Sequence, residues 1–198
     1  MTDSISKSHL HRQINNVLSV MVVGLALYIL VWPFLPAANL WWRSHTGAGN
    51  GYVYHSKLQK GQKPSARPIP ADNRLVIPKM RLDEPINEGK TIAALHTGVW
   101  RRPATDTPDK GGNTVIVGHR FTYSGSSVFY SLNTLEAGDP VIVYWQGKEY
   151  DYEVMLSEVV PPNAVEIEQH TEKPILTLYT CTPLWTAHDR LVVIAEPL

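Results

Sequence analysis

Residues 175–183 of this chain read Ile-Leu-Thr-Leu-Tyr-Thr-Cys-Thr-Pro and hold its single cysteine, Cys181. The first six are leucine, aromatic or β-branched residues, which favour strands. The sequence therefore predicts a strand over 175–180 that carries a thiol at its end. A second strand-like run, 191–195, begins directly after Arg190. If the two runs pair as an antiparallel hairpin over the intervening loop, Cys181 and Arg190 face each other at its mouth.

A histidine ends another predicted strand, because residues 114–118 read Thr-Val-Ile-Val-Gly and precede His119. If this strand and strand 175–180 are parallel neighbours, their carboxyl ends share one edge and His119 joins the thiol and the guanidinium. A free thiol is largely protonated at neutral pH, so a nucleophilic cysteine needs a nearby proton acceptor or cation. The three residues together predict a cysteine acyl-transfer site.

The chain from residue 72 onward has the pattern of an all-β domain. Predicted strands cover 74–78, 114–118, 140–145, 148–156, 175–180 and 191–195. Gln146 and Gly147 supply a hairpin turn between two of them, and a helical turn is expected within 126–135. Many short strands separated by turns predict a closed barrel or a sandwich.

The N-terminal part of the chain is apolar. Residues 14–42 contain no charged side chain and include a dense apolar run over 17–35, long enough for a transmembrane helix. Tryptophans at its far end fit an aromatic belt, although a cleaved signal peptide is an alternative. The sequence therefore predicts four parts: a short polar tail over 1–13, a transmembrane anchor over 14–42, a Gly/Pro-rich linker over 43–71 and the β domain over 72–198. A short helix is predicted within the linker, around 53–60.

Composition excludes several classes of function. The chain has 18 basic and 18 acidic residues, so its formal net charge is zero, which argues against a nucleic-acid partner. One cysteine cannot form an internal disulfide. The sequence has no His-Glu-x-x-His motif and no paired-cysteine spacing, so we expect no metal and no cofactor.

Three segments, in this order, resemble those of the sortases, which are membrane-anchored cysteine transpeptidases of Gram-positive bacteria. Residues 113–120 are similar to the histidine segment of that family, 177–183 to its T-L-x-T-C signature, and 189–193 to its arginine segment. The resemblance implies a mainly β fold, a closed eight-stranded barrel with short helices, behind one N-terminal transmembrane helix. It also implies a single-pass protein of the cell membrane whose catalytic domain is extracytoplasmic.

The resemblance implies the reaction as well. Cys181 would attack a carbonyl in an LPxTG-like sorting motif near the C-terminus of a secreted protein and form a thioester. An amine from a peptidoglycan precursor, or a lysine of a pilin, would then release the acyl group. By similarity, His119 transfers protons, and Arg190 holds the substrate backbone and the oxyanion.

Three further residues are candidate substrate contacts. Thr180 is expected to add a hydrogen bond to the oxyanion or substrate, unless it is a strand residue that faces the core. Leu184 and Trp185 are expected to line an apolar groove for the leucine of the substrate, unless Trp185 packs on the barrel rim.

Residues 43–71 lack the Asp-Pro-aromatic lid element of many pilin-polymerising sortases, which favours anchoring of single substrates.

Several alternatives remain open at the level of sequence. His188 and, less strongly, His96 compete with His119 as the base. Some sortases bind calcium through loop carboxylates, but Glu166 and Glu168 fit an ordinary solvated loop, and no required metal is expected. The chain could instead be another cysteine acyl-transfer enzyme, of the L,D-transpeptidase or papain-like type, or a membrane-tethered β-barrel scaffold without catalysis.

Overall fold

The computed structural model of the chain describes residues 3–32, 69–122 and 127–198. The chain divides into two compact units, Met1–Ala48 and Gly49–Leu198. The short helix predicted around 53–60 and most of the predicted linker lie outside the described residues.

The described residues of the first unit form a helix, α1, over Asp3–Val31. Its large apolar side chains from Val17 onward are exposed. No helix among the described residues combines the length and the apolar character that crossing a membrane requires. The structure therefore does not show the transmembrane helix predicted over 14–42, and the tail predicted over 1–13 is helical from Asp3.

The described part of the second unit is a closed β-barrel of eight strands in the order β1-β2-β3-β4-β7-β8-β6-β5, which confirms the predicted mainly β, eight-stranded barrel. The strands are β1 (Arg74–Ile77), β2 (Leu82–Asn87), β3 (Val99–Arg101), β4 (Asn113–Val117), β5 (Pro140–Trp145), β6 (Lys148–Val160), β7 (Ile175–Thr182) and β8 (Asp189–Pro197). Short 3-10 helices cover Pro78–Met80, Ile92–Thr97, Leu132–Thr134 and Val165–Glu168.

Six of these strands were predicted at the level of sequence, and two were not. The missed strands are β2 and β3. The first contains two acidic residues and Pro85 within its six residues, and the second has only three residues. Neither offers the alternating apolar pattern from which a strand is recognised. The helical turn predicted within 126–135 is the 3-10 helix Leu132–Thr134.

Strand β7 pairs with β4 on one side and with β8 on the other. The β4–β7 pairing is parallel and ends at Val117 opposite Tyr179. The β7–β8 pairing is antiparallel and places Cys181 opposite Arg190. Both pairings are the ones that the sequence predicted, so the strand ends that carry the candidate residues lie at one edge of the barrel.

Alternation along β7 separates the barrel core from its outer face. Leu176 and Leu178 are fully buried in the main core cluster, together with Leu191 and Val193 of β8. Because successive side chains of a strand point to opposite faces, Tyr179 and Cys181 lie on the outer face. The core therefore fixes the strand, and the outer face presents the thiol.

Gly118, between β4 and His119, has no side chain, and the space that one would occupy is filled by core residues. A Cβ atom at this position would come within 2.7 Å of the Phe129 ring and of a Val128 methyl group. Phe129 is fully buried, so it has little space into which to move. The chain before the histidine must therefore lack a side chain here.

Gly118→Ala is expected to destabilise the protein by roughly 1–3 kcal/mol, because an added methyl group in a packed core displaces its neighbours. Gly89→Ala is the matched control, since its Cβ atom would meet only Ala94 at an ordinary 3.6 Å. Chemical denaturation of both variants measures the difference. Equal stability of the two variants would contradict this account of Phe129.

Candidate active site

Cys181 lies near the end of β7, partly exposed on the outer face of the barrel. Its backbone partner in β8 is Arg190. The thiol and the guanidinium therefore leave neighbouring strands at one level on the same face, because directly opposed residues of an antiparallel pair share a face.

His119 is brought to the same level by contacts that continue the β4–β7 register beyond the ladder. The Thr180 hydroxyl donates a hydrogen bond to the Gly118 carbonyl at 2.8 Å. The Arg120 guanidinium donates one to the Thr182 hydroxyl. These two bonds flank His119 and Cys181 on either side, so the histidine backbone stands beside the cysteine backbone.

The environment of His119 favours its neutral form. Burial lowers the pKa of His119, and the nearby His96 lowers it further. His96 belongs to the 3-10 helix Ile92–Thr97, whose Leu95 packs in one cluster with Val117 of β4. A neutral imidazole accepts a proton, which is what activation of a thiol requires.

The other rival base, His188, lies in the β7–β8 loop. Its Nδ1 atom is 2.8 Å from a carboxylate oxygen of Asp189, and its side chain is exposed. Arg190 instead donates to the main-chain carbonyls of Asp189 at 3.0 Å and Ala187 at 3.3 Å. The Asp189 carboxylate is thus occupied by His188, and the Arg190 guanidinium lines a neighbouring cavity.

Thr180 does not face the thiol side of the strand. Its side chain is buried, and its hydroxyl donates to the Gly118 carbonyl. This position favours the alternative in which Thr180 is a strand residue that faces the core, because its hydroxyl joins β7 to the segment that carries His119.

A cavity of about 250 Å³ adjoins Arg190 on the outer face. It is lined by Arg102, Pro162, Ala164, Val165, Ile167, Glu168, Tyr179 and Arg190. Tyr179 lies two residues before Cys181 and therefore on the same face of β7. Four lining residues from the β6–β7 connection are apolar and form what we call the apolar wall of the cavity, and the other four are polar or charged: Pro162, Ala164, Val165 and Ile167 against Arg102, Glu168, Tyr179 and Arg190.

Leu184 and Trp185 do not line this cavity. Trp185 is 60% exposed. Its ring packs edge-on against Phe121 at a centroid distance of 4.9 Å. The aromatic contact joins the loop after the thiol to the segment after His119, but the apolar groove predicted at Leu184 and Trp185 is not the cavity beside Arg190.

The cavity itself was missed at the level of sequence. Tyr179 could have been found, since strand alternation places it beside Cys181. No sequence pattern connects Arg102 with the site, because its loop comes near the other site residues only in the folded barrel. The sequence predicts Glu168 in an ordinary solvated loop, whereas the structure pairs its carboxylate with Arg102 at 2.8 Å. Among the described residues, no group of three or more His, Cys, Asp or Glu side chains is arranged to hold a metal ion.

Comparisons with known proteins agree on one family. The family model described as "Sortase domain" matches residues 75–198. Sortase SrtE1 of Streptomyces coelicolor is 32% identical over 177 residues, which cover 78% of this chain and 50% of that protein. Sortase D of Bacillus subtilis is 35% identical over 115 residues, covering 57% of this chain and 55% of the relative. The chain thus spans about half the length of these curated relatives.

Solved structures give the same result. Sortase C1 of GBS Pilus Island 1 superposes with a TM-score of 0.59 at 26% identity, covering 64% of this chain and 63% of that one. A lid mutant of sortase A from Corynebacterium diphtheriae has a TM-score of 0.59 at 28% identity, covering 65% of this chain and 70% of that one.

His96→Ala is expected to raise the pKa of His119, because it removes the electrostatic influence of the His96 imidazole while leaving the burial of His119 largely intact. Histidine NMR signals followed through a pH titration measure the shift. His188→Ala is the control, since His188 is exposed and paired with Asp189. An unchanged His119 titration in His96→Ala would contradict the coupling between the two imidazoles.

Proposed function

Because the chain belongs to the sortase family, we propose that it is a cysteine transpeptidase of secreted proteins that bear a C-terminal sorting signal. It would cleave an LPxTG-like motif and transfer the new acyl end to an amine. The observation that supports this proposal is the strand register, which places Cys181 opposite Arg190 and, continued from the β4–β7 ladder, sets the backbone of His119 beside that of Cys181, next to a cavity. A scaffold has no need for this arrangement.

The first half of the proposed reaction forms an acyl-enzyme. Neutral His119 takes the thiol proton of Cys181, and the sulfur attacks the scissile carbonyl carbon. The carbonyl oxygen becomes an oxyanion, which the Arg190 guanidinium stabilises by charge and hydrogen bonding. When the intermediate collapses, the carbon–nitrogen bond breaks, and His119 returns the proton to the leaving amine.

The second half regenerates the thiol. An incoming amine attacks the thioester carbonyl, His119 accepts the proton of that amine, and the carbon–sulfur bond breaks. The sulfur then recovers a proton from His119. We propose an amine of a peptidoglycan precursor as the acceptor, in preference to a pilin lysine, because residues 43–71 carry no Asp-Pro-aromatic element.

The cavity beside Arg190 is the proposed site of the acyl donor. Its wall is formed by Pro162, Ala164, Val165 and Ile167, which suit the apolar residues of an LPxTG-like motif. Arg190 lines the cavity and stands opposite Cys181. A peptide that extends out of the cavity along β7 would therefore present its backbone to the thiol.

We further propose that residues 14–42 hold the enzyme at the cell membrane, with the barrel outside the cytoplasm. The run has no charged residue, and the apolar side chains of α1 from Val17 onward are exposed. Secreted substrates and cell-wall amines would both be met on that side of the membrane.

The chemical proposal predicts a thioester on Cys181. Incubation of the purified protein with a panel of sorting-motif peptides should give a mass adduct on Cys181 that an added amine releases. The adduct should be absent in Cys181→Ala, and His119→Ala should lose about 10²–10⁴ in rate, as for other general acid–base residues. Arg190→Ala should lose about 10²–10³, as for an oxyanion donor.

His188→Ala is the matched control for the histidine assignment and should retain most of the activity. Near-complete loss of transfer in this variant would contradict the choice of His119. Equal transfer by Cys181→Ala and the unchanged protein would contradict the transpeptidase itself.

The membrane proposal predicts that the full chain sediments with membranes after cell lysis and that a variant lacking residues 1–42 stays in the supernatant. Protease added to intact protoplasts should degrade the barrel of the full chain. A barrel that resists protease until the membrane is broken would place it in the cytoplasm and refute the proposal.

A further inference from the structure

Three side chains that line the cavity come from separate segments of the chain and are joined by hydrogen bonds. Arg102, from the loop after β3, donates from Nε to Oε1 of Glu168 at 2.8 Å. The Tyr179 hydroxyl donates to the same carboxylate oxygen at 2.5 Å. Glu168 ends the 3-10 helix of the β6–β7 connection, so this network ties that connection to both β7 and the β3–β4 loop.

Hydrogen bonds also hold the backbone on either side of Glu168. The side-chain amide of buried Asn113, at the start of β4, donates to the carbonyls of Ile167 at 3.0 Å and Gln169 at 2.9 Å. Its carbonyl oxygen accepts a hydrogen bond from the Thr177 hydroxyl at 2.8 Å. Asn113 therefore fixes the position from which the Glu168 side chain reaches its partners.

Further interactions keep Arg102 and Tyr179 in place as partners of Glu168. The Arg102 guanidinium carbon lies 4.7 Å from the centre of the Trp100 ring, a distance at which a cation and an aromatic face attract each other. Burial, and then the bond to Glu168, raise the pKa of Tyr179. Tyr179 thus stays protonated and stays a donor to Glu168 at neutral pH.

We propose that Arg102, Glu168 and Tyr179 are positioning residues, which hold the wall of the cavity in the shape needed by the acyl-donor peptide before it binds. The apolar wall belongs to the same short connection as Glu168. A wall that is already ordered spares the peptide the entropic cost of ordering it. The role of the cavity rests on the proposed function, whereas the tethering of the wall does not.

The proposal predicts a change in peptide binding without a change in the thiol. Glu168→Ala should raise the KM for the sorting peptide about tenfold, as expected when charge-assisted hydrogen bonds are lost, and should leave kcat nearly unchanged. Tyr179→Phe, which removes only the hydroxyl, should raise KM by a smaller factor. The rate at which iodoacetamide alkylates Cys181 should be the same in all variants.

A second measurement reports on the wall itself and needs no substrate. Hydrogen exchange of the full chain, followed by mass spectrometry, should show faster exchange over residues 161–171 in Glu168→Ala and Tyr179→Phe. Exchange in the core of β7 should stay as slow as in the unchanged protein. Glu166→Gln is the matched control, because it alters an exposed carboxylate of the same 3-10 helix.

These measurements test the tethering of the wall, the positioning role of the network and the proposed function independently. Unchanged exchange over 161–171 in both variants overturns the tethering, and so does an equal effect of Glu166→Gln. A fall in kcat with KM preserved overturns the positioning role and makes the network part of the chemistry. If the unchanged protein transfers no sorting peptide, the proposed function fails, and the exchange result alone decides whether the network holds the wall.

Discussion

Strand β7 is hydrogen-bonded on both sides, and the geometry of the whole site depends on that double pairing. The parallel ladder to β4 sets the level of His119, and the antiparallel ladder to β8 sets the level of Arg190. A slip of one residue in either ladder would move the partner side chain to the opposite face of the barrel. The buried leucines of β7 resist such a slip, because it would expose them.

The same pairing explains what the sequence could predict. Residues 114–118, 175–180 and 191–195 are strongly apolar and end at chemically distinctive residues, so both the strands and the convergence of their ends could be inferred. The cavity depends instead on the β6–β7 connection, whose residues 161–174 have no periodic pattern. Its contacts with Arg102 and Asn113 arise only when strands distant in sequence become neighbours.

For Thr180, the family resemblance and the strand geometry lead to different expectations about where the side chain points. Its place next to the thiol in the sequence suggests a contact with substrate, but adjacent residues of a strand point to opposite faces. The hydroxyl is instead used to join β7 to the Gly118 carbonyl. The residue that shares the face of Cys181 is Tyr179, and it belongs to the cavity rather than to the interior.

Two groups near Cys181, Tyr179 and His119, differ in how readily they exchange a proton at neutral pH. Tyr179 keeps its proton, since burial and its bond to Glu168 raise its pKa. His119, whose pKa burial and His96 lower, is neutral at neutral pH and becomes charged only as the pH falls. In the reaction proposed above, proton transfer would therefore fall to His119, which would gain a positive charge on taking the thiol proton. In that reaction the proton on His119 would pass to the leaving amine, whereas Arg190 would stabilise the oxyanion.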